Sequence, residues 1–199
     1  MDNKVKRNTE VKVKKEKSGI KSLIKDLEKE ELIEIIIELS KISKNNEQFL
    51  KLFIQGSNKE NRERIIQEVK PKLYSIFYGK NGFPYERINL KAAREIISQY
   101  SKIFKEFPYY IIELKLYYVE LGVDVIENWG DMYESFYDSI GTMLTSLCND
   151  LFNNHKYYAD YQKRMNSLID KTKGVGWGFY EFVAETILDL EDRLGIEEI

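Results

Sequence analysis

Four carboxylates occupy one side of the sixth helix that the sequence predicts. Glu113, Glu120, Asp124 and Glu127 fall within about 60 degrees of one another when successive residues are placed about 100 degrees apart around the helix axis. A line of carboxylates can hold a divalent cation, since Mg²⁺ and Ca²⁺ prefer oxygen ligands, or it can bind a basic partner. It can also be the solvated edge of a buried helix, paired with lysine and arginine of the same chain. We consider that last interpretation the simplest.

Charge is segregated along the chain around this stripe. Residues 109 to 154 carry eight acidic side chains and one basic side chain, whereas Lys59 to Glu106 carry eleven basic and six acidic ones. The net charges are therefore −7 and +5, within a chain whose total is only −2. This distribution favours attraction between the two halves, and it is also typical of a surface that binds a charged macromolecule.

A glycine-rich turn between the eighth and ninth helices is the second candidate. Backbone amides freed by glycine at the start of a helix can hold an anion, and two lysines precede this turn. The spacing matches neither a Walker loop nor the dinucleotide-binding fingerprint, and no strand precedes it. A structural explanation is simpler: Gly174 ends one helix, Trp177 plugs the core and Gly178 caps the next helix. The residues of the possible anion-binding turn are Lys171, Lys173, Gly174, Gly176 and Gly178.

The chain has one histidine, His155, and one cysteine, Cys148. Most nucleophilic, general-base and transition-metal chemistry uses several such residues together, and a ferritin-like di-iron site needs two Glu-x-x-His pairs. We expect Cys148 to be a buried, inert thiol and His155 to lie on a surface turn. The sequence therefore predicts no catalytic residue, no cofactor and no metal centre, and it favours a protein that is not an enzyme.

The elements that position these residues are helices. Apolar residues recur at i, i+3, i+4 and i+7 almost continuously from Ile20 to Leu194, and no convincing strand appears. The pattern predicts an all-α fold of about nine helices, either a multi-helical bundle or a short stack of antiparallel helical hairpins. The predicted helices cover about 20–27, 29–42, 47–55, 58–77, 90–107, 109–128, 132–153, 157–172 and 179–194.

Two prolines and the composition of the sixth helix refine this prediction. Pro71 should kink or split the fourth helix, and Pro108 should end the fifth. The sixth helix is apolar around most of its circumference, so we expect its neighbours to enclose it. Residues 78–89, with Asn81-Gly82 and Pro84, form the clearest loop.

Length and composition place the chain among soluble globular proteins. It has 199 residues, of which 32% are charged and 43% hydrophobic, and no apolar run approaches the roughly 20 residues that span a bilayer. A single cysteine cannot form an intramolecular disulfide, which favours the cytoplasm. Residues 1–17 have seven basic and three acidic side chains and few apolar ones, so we predict a flexible basic tail before one helical domain over 18–199.

Three phrases carry a resemblance to a known family. They are Lys29-Glu30-Glu31-Leu32-Ile33-Glu34, Leu116-Tyr117-Tyr118-Val119-Glu120-Leu121-Gly122-Val123 and Gly174-Val175-Gly176-Trp177-Gly178-Phe179. Together they resemble an all-helical bacterial family described only as a domain of unknown function. The resemblance spans about Ile20 to Leu194 and supports the helical fold. It implies no activity, cofactor or catalytic residue.

The sequence favours a cytoplasmic helical protein that binds another macromolecule, most simply a protein. One alternative is a protein or enzyme that binds a ligand or a divalent cation through the acidic stripe. Another is a nucleic-acid-associated protein that uses residues 1–17. The residues do not identify the partner or the oligomeric state.

Overall fold

The computed structural model describes residues 19–56 and 58–196 and shows an all-α protein. No strand occurs in these ranges, and the one β-bridge is an isolated contact between Tyr78 and Pro84. The described α-helices are α1 (Ile20–Ile24), α2 (Lys29–Ile42), α3 (Lys44–Gln55), α4 (Lys59–Phe77), α5 (Leu90–Ile103), α6 (Pro108–Trp129), α7 (Glu134–Asn153), α8 (Tyr158–Thr172) and α9 (Phe179–Leu194), with a short 3₁₀ turn (His155–Tyr157) before α8. The predicted fold class is confirmed.

Capping side chains explain several helix boundaries. Asn58 and Asn89 precede α4 and α5, and each side chain accepts a hydrogen bond from the backbone N–H three residues later. Glu28 and Glu31 form a reciprocal capping box at the start of α2. Ser43 caps α3, because its Oγ accepts a hydrogen bond from the backbone N–H of Asn46. The helix therefore begins before Glu47, the start that the sequence predicted.

Neither proline ends a helix as predicted, whereas the predicted alternative of a kink at Pro71 stays a prediction. Pro71 lies inside α4, which continues from Lys59 to Phe77, so the predicted split is wrong. Its ring removes one backbone donor, and the buried side chains on either side of it, Val69 and Leu73, keep the helix packed. Pro108 occupies the first position of α6, where a missing N–H costs nothing, and α5 has already ended at Ile103.

Contacts divide the chain into two compact units, with the division between Gln48 and Phe49. In the first unit, the described residues 19–48 form α1, α2 and the beginning of α3, and none of the residues of α1 and α2 is buried. The second unit contains the remaining helices. The predicted single domain over 18–199 stays a prediction, and the predicted tail over 1–17 lies outside the described residues.

Helix α6 is the centre of the second unit. It packs against α4, α5, α7 and α8, and its side chains Ile112, Leu116, Val119 and Val123 are completely buried. A helix enclosed in this way needs apolar residues on most sides, which is the pattern that the sequence shows. The predicted enclosure of the sixth helix is confirmed.

The direction of the helices alternates. Lys115 of α6 contacts Asp150 of α7, whereas Gly122 lies against Ile140, so α6 and α7 are antiparallel. Arg164 of α8 contacts Glu113 and Lys171 contacts Glu127, so α8 runs parallel to α6. The α6–α7 and α8–α9 connections follow the carboxyl ends of two parallel helices, so they lie at the same end of the unit.

Candidate functional site

The four carboxylates of the acidic stripe lie on one side of α6 and face α4 and α8. Glu113 is only 9% exposed, whereas the side chain of Glu120 is 30% exposed and those of Asp124 and Glu127 are more exposed still. A buried carboxylate is costly unless cations and hydrogen bonds compensate for the lost hydration. Whether the stripe can bind a cation or another protein therefore depends on how far basic side chains of the same chain already neutralise it.

Arg164 of α8 bridges the buried end of the stripe. Its Nη1 donates to Glu113 Oε2, and its Nε and Nη2 donate to the two oxygens of Glu120, each at 2.7 Å. Lys70 Nζ of α4 lies 2.5 Å from Glu113 Oε1. Burial alone would raise the pKa of Glu113, but the hydrogen bonds from Arg164 and Lys70 outweigh it and hold that pKa below its ordinary value.

The outer end of the stripe is also paired. Lys171 Nζ lies 3.0 Å from Glu127 Oε2 and 3.9 Å from Asp124 Oδ1, and the Tyr78 hydroxyl donates to Asp124 Oδ2 at 2.5 Å. Burial and the neighbouring Asp124 raise the pKa of Tyr78 above its ordinary value. Tyr78 therefore remains a neutral donor over the physiological range.

The stripe is thus a ladder of ion pairs within the second unit. Every one of its carboxylates contacts a cation of the same chain, as the simplest interpretation expected. In residues 19–56 and 58–196, no three His, Cys, Asp or Glu side chains come together in a way that could hold a metal ion. A role for the stripe in binding a cation or a partner stays a prediction, and its geometry gives that prediction no support.

Sequence reasoning missed Arg164, although a signal was present. Glu113, Glu120 and Glu127 are seven residues apart, as are Arg164 and Lys171. Seven residues correspond to about two helical turns and a rise of about 10.5 Å. Two parallel helices that carry opposite charges at this matching seven-residue spacing can therefore pair at every second turn. The sequence does not say, however, which two helices are neighbours.

The glycine-rich turn has an unusual backbone. Gly174 and Gly178 have positive φ, as expected of residues that end one helix and begin the next, but Trp177 also has φ 62°. A bulky side chain rarely adopts this left-handed conformation, because its Cβ crowds the following carbonyl. Trp177 is 85% exposed, so the prediction that it plugs the core is wrong.

The two lysines beside the turn contact carboxylates. Lys171 belongs to the ion-pair ladder, and Lys173 Nζ lies 2.8 Å from Asp170 Oδ1. Gly174, Gly176 and Gly178 have open space where a Cβ would stand, so the turn is not crowded. The predicted anion-binding turn stays a prediction, and these partners make the lysines poor anion ligands.

The exposed indole borders a groove between α7 and the start of α9, with a volume of about 1030 Å³. We call it the tryptophan groove. Its lining consists of acidic, hydroxyl-bearing and aromatic side chains, one methionine and two glycines, namely Asp131, Met132, Glu134, Tyr137, Asp138, Gly141, Thr142, Thr145, Trp177, Gly178, Phe179 and Phe182.

Contacts between helices shape the groove. Phe182 of α9 lies over Gly141 of α7, where an added Cβ would come within 2.9 Å of its ring. Tyr137 and Phe179 meet edge to face with ring centroids 5.1 Å apart. Trp177 Nε1 lies 3.3 Å from Asp131 Oδ2 and donates to it, so the indole is tied to the α6–α7 connection. Two features that the sequence treats separately, the middle of the acidic segment and the glycine-rich turn, therefore form one site.

The carboxylates of the tryptophan groove differ from those of the ladder. Asp131 accepts hydrogen bonds from Tyr137 and Trp177, which are neutral donors. Glu134 and Asp138, one turn apart on α7, have no basic partner in the part of the chain that the structure describes. Like charges at this spacing destabilise a helix slightly. Within residues 19–56 and 58–196, no basic side chain therefore neutralises the negative charge of Glu134 and Asp138.

The two residues that most often carry nucleophilic or acid–base chemistry lie elsewhere. Cys148 is buried in α7, where burial and the nearby Asp189 raise the pKa of its thiol to about 12. His155 is exposed at the 3₁₀ turn between α7 and α8. Both predicted positions are confirmed.

Comparisons with known proteins give no match: no family model, no curated protein and no solved structure is significantly similar to this chain. The resemblance to an all-helical family therefore stays a prediction. Among the described residues, no helix combines the length and the apolar character that crossing a membrane requires.

Proposed function

We propose that this protein acts by binding another protein, and that the tryptophan groove receives a segment of that partner. The observation that carries the proposal is Trp177, which is 85% exposed and held at φ 62° between two glycines. Tryptophan contributes most to binding when a partner covers it, because its large ring buries much surface with little loss of entropy. An exposed indole kept in a costly conformation is difficult to explain by packing alone.

The dimensions of the groove support a polymer segment as its occupant. Its volume of about 1030 Å³ lies just above the range of small-molecule pockets, about 300–1,000 Å³. Its walls combine aromatic rings with carboxylates and hydroxyls, a mixture that suits the apolar centre and polar rim of a protein interface. The proposed role is non-enzymatic, and the lone cysteine favours the cytoplasm as the place of action.

Site-specific photo-cross-linking tests the proposal in cells of the source organism. A photoreactive phenylalanine analogue replaces Thr142, which is exposed in the groove, or Asn166, which is exposed on α8 outside it. We expect a discrete cross-linked protein from position 142 and none from position 166. Cross-links of equal yield at both positions, or none at position 142, would contradict the proposal.

A further inference from the structure

We infer that the partner segment bound in the tryptophan groove is basic, with lysine or arginine side chains that contact Glu134 and Asp138 and one that stacks on Trp177. This inference rests on the proposed function, and it adds the chemistry of the partner. It follows from two observations: Glu134 and Asp138 have no basic neighbour among the described residues, and the exposed ring of Trp177 lines the same groove.

The carboxylates of the groove differ from those of the ion-pair ladder in their neighbours. In the ladder, each carboxylate already has a lysine or arginine of this chain as a neighbour, so an incoming cation would have to displace it. Glu134 and Asp138 are exposed and lack a basic neighbour among residues 19–56 and 58–196. A cationic group that enters the groove therefore gains attraction without breaking an existing pair.

The exposed indole of Trp177 offers a second attraction for a cationic group. A guanidinium or ammonium group over a tryptophan face is attracted by the ring quadrupole, most strongly when the group is partly desolvated. Arginine suits the site best, because it stacks on aromatic rings and binds carboxylates with a planar fork. The hydrogen bond from Trp177 Nε1 to Asp131 fixes one edge of the indole. Its faces remain available because the side chain is 85% exposed.

The spacing of the carboxylates restricts the partner further. Glu134 and Asp138 are four residues apart on α7, a rise of about 6 Å. Basic side chains four apart on a helical segment, or two apart on an extended one at about 6.6 Å, match this separation. A nucleic acid would bring its phosphates against Asp131, Glu134 and Asp138, so repulsion opposes it.

Selection from a displayed library of random twelve-residue peptides tests both levels of this account. The full-length protein is the bait, and the Trp177→Gly variant, shown by circular dichroism to be folded, identifies the peptides that need the groove. We expect Trp177-dependent peptides enriched in lysine and arginine at spacings of two or four. Trp177-dependent peptides without such enrichment would overturn the inference about charge and leave the proposed function standing. A selection that yields no Trp177-dependent peptide would overturn both.

A charge-matched pair of variants measures the contribution of the carboxylates. Glu134→Gln with Asp138→Asn removes the two unpaired charges, and Glu185→Gln with Asp160→Asn removes two exposed charges outside the groove. For a selected peptide labelled with fluorescein, we expect the first pair to weaken binding at least tenfold and the second to change it less than twofold. Equal effects of the two pairs would show a nonspecific field and contradict direct contact.

Discussion

At the scale of single residues, Trp177 connects the backbone conformation with the proposed function. Its φ of 62° destabilises the folded protein by about 1–2 kcal/mol relative to glycine at this position. Because the side chain is 85% exposed, its packing offsets little of this strain. Such residues persist where the surrounding structure holds them and where their strained position serves a function. The same reasoning predicts how substitutions at this position affect stability.

We expect Trp177→Gly to leave the free energy of unfolding unchanged or to raise it by up to about 1 kcal/mol, because glycine adopts positive φ without strain. Trp177→Ala keeps the unfavourable conformation and should be about 1 kcal/mol less stable than Trp177→Gly. Urea unfolding followed by circular dichroism measures both. If Trp177→Gly costs 2 kcal/mol or more, the indole is a packing element and the account of the groove is wrong.

A second prediction at this scale concerns the thiol. Cys148 is 5% exposed and has its pKa raised to about 12, so the native protein should not react with iodoacetamide within an hour at pH 8. The same reagent should label the protein fully in guanidinium chloride, as mass spectrometry would show. Rapid labelling of the folded protein would mean that α7 opens at this position.

At the scale of helices, close contact between α6 and α7 depends on Gly122. An added Cβ would lie 2.3 Å from Ile140 Cδ1 and 2.6 Å from Ile140 Cγ1, and Ile140 is completely buried. We expect Gly122→Ala to lower the free energy of unfolding by about 1–3 kcal/mol through overpacking. The matched control is Gly176→Ala, which has no neighbour within 4 Å and should be neutral or slightly stabilising. Equal stability of the two variants, measured by thermal melting, would contradict this contact.

The ion-pair ladder predicts how α6 and α8 respond to substitution. Arg164→Met leaves Glu113 with Lys70 alone and removes the two-pronged contact with Glu120, so we expect a loss of about 3 kcal/mol. The control is Arg64→Met, whose contact with Glu68 spans 3.9 Å between side chains that are each 59% exposed, and which should cost less than about 0.5 kcal/mol. Chemical denaturation of both variants at pH 7 checks the difference.

The same contacts give a pH dependence. The pKa of Glu113 is lowered in the folded protein, so its contribution is fully present above the unfolded pKa of about 4.3 and is lost as the pH falls through the lower folded value. We expect the stability of the natural chain to fall below about pH 4.3 and to fall less in Arg164→Met. Parallel losses in the two proteins between pH 5 and pH 3 would exclude this coupling.

At the scale of the whole molecule, the hydrophobic pattern predicts the bounds of a single helix and the sides of it that are buried. It placed α2 and α9 at their observed bounds and identified α6 as the enclosed helix, because a period near 3.6 reports directly which sides are apolar. It also predicts the long loop over residues 78–89, whereas the capping roles of Asn58 and Asn89 come from the structure. These features depend on residues close together in sequence.

The sequence does not reveal which helices are neighbours, and the omission of Arg164 follows from that. Arg164 was overlooked because its partners lie on α6, more than forty residues away. The aromatic character of Trp177 favours a place in the core, yet the residue has positive φ and is 85% exposed. The tryptophan groove depends on the parallel arrangement of α6 and α8, which places the α6–α7 and α8–α9 connections at one end of the unit. The sequence does not reveal that arrangement.

The central claim is that the tryptophan groove binds a partner protein through Trp177. The most direct measurement is the yield of the cross-link from the photoreactive residue at position 142, compared between the natural chain and the Trp177→Gly variant in cells of the source organism. The account predicts that the cross-linked partner disappears in the variant while the amount of folded protein stays the same. A cross-link of undiminished yield in Trp177→Gly would contradict it.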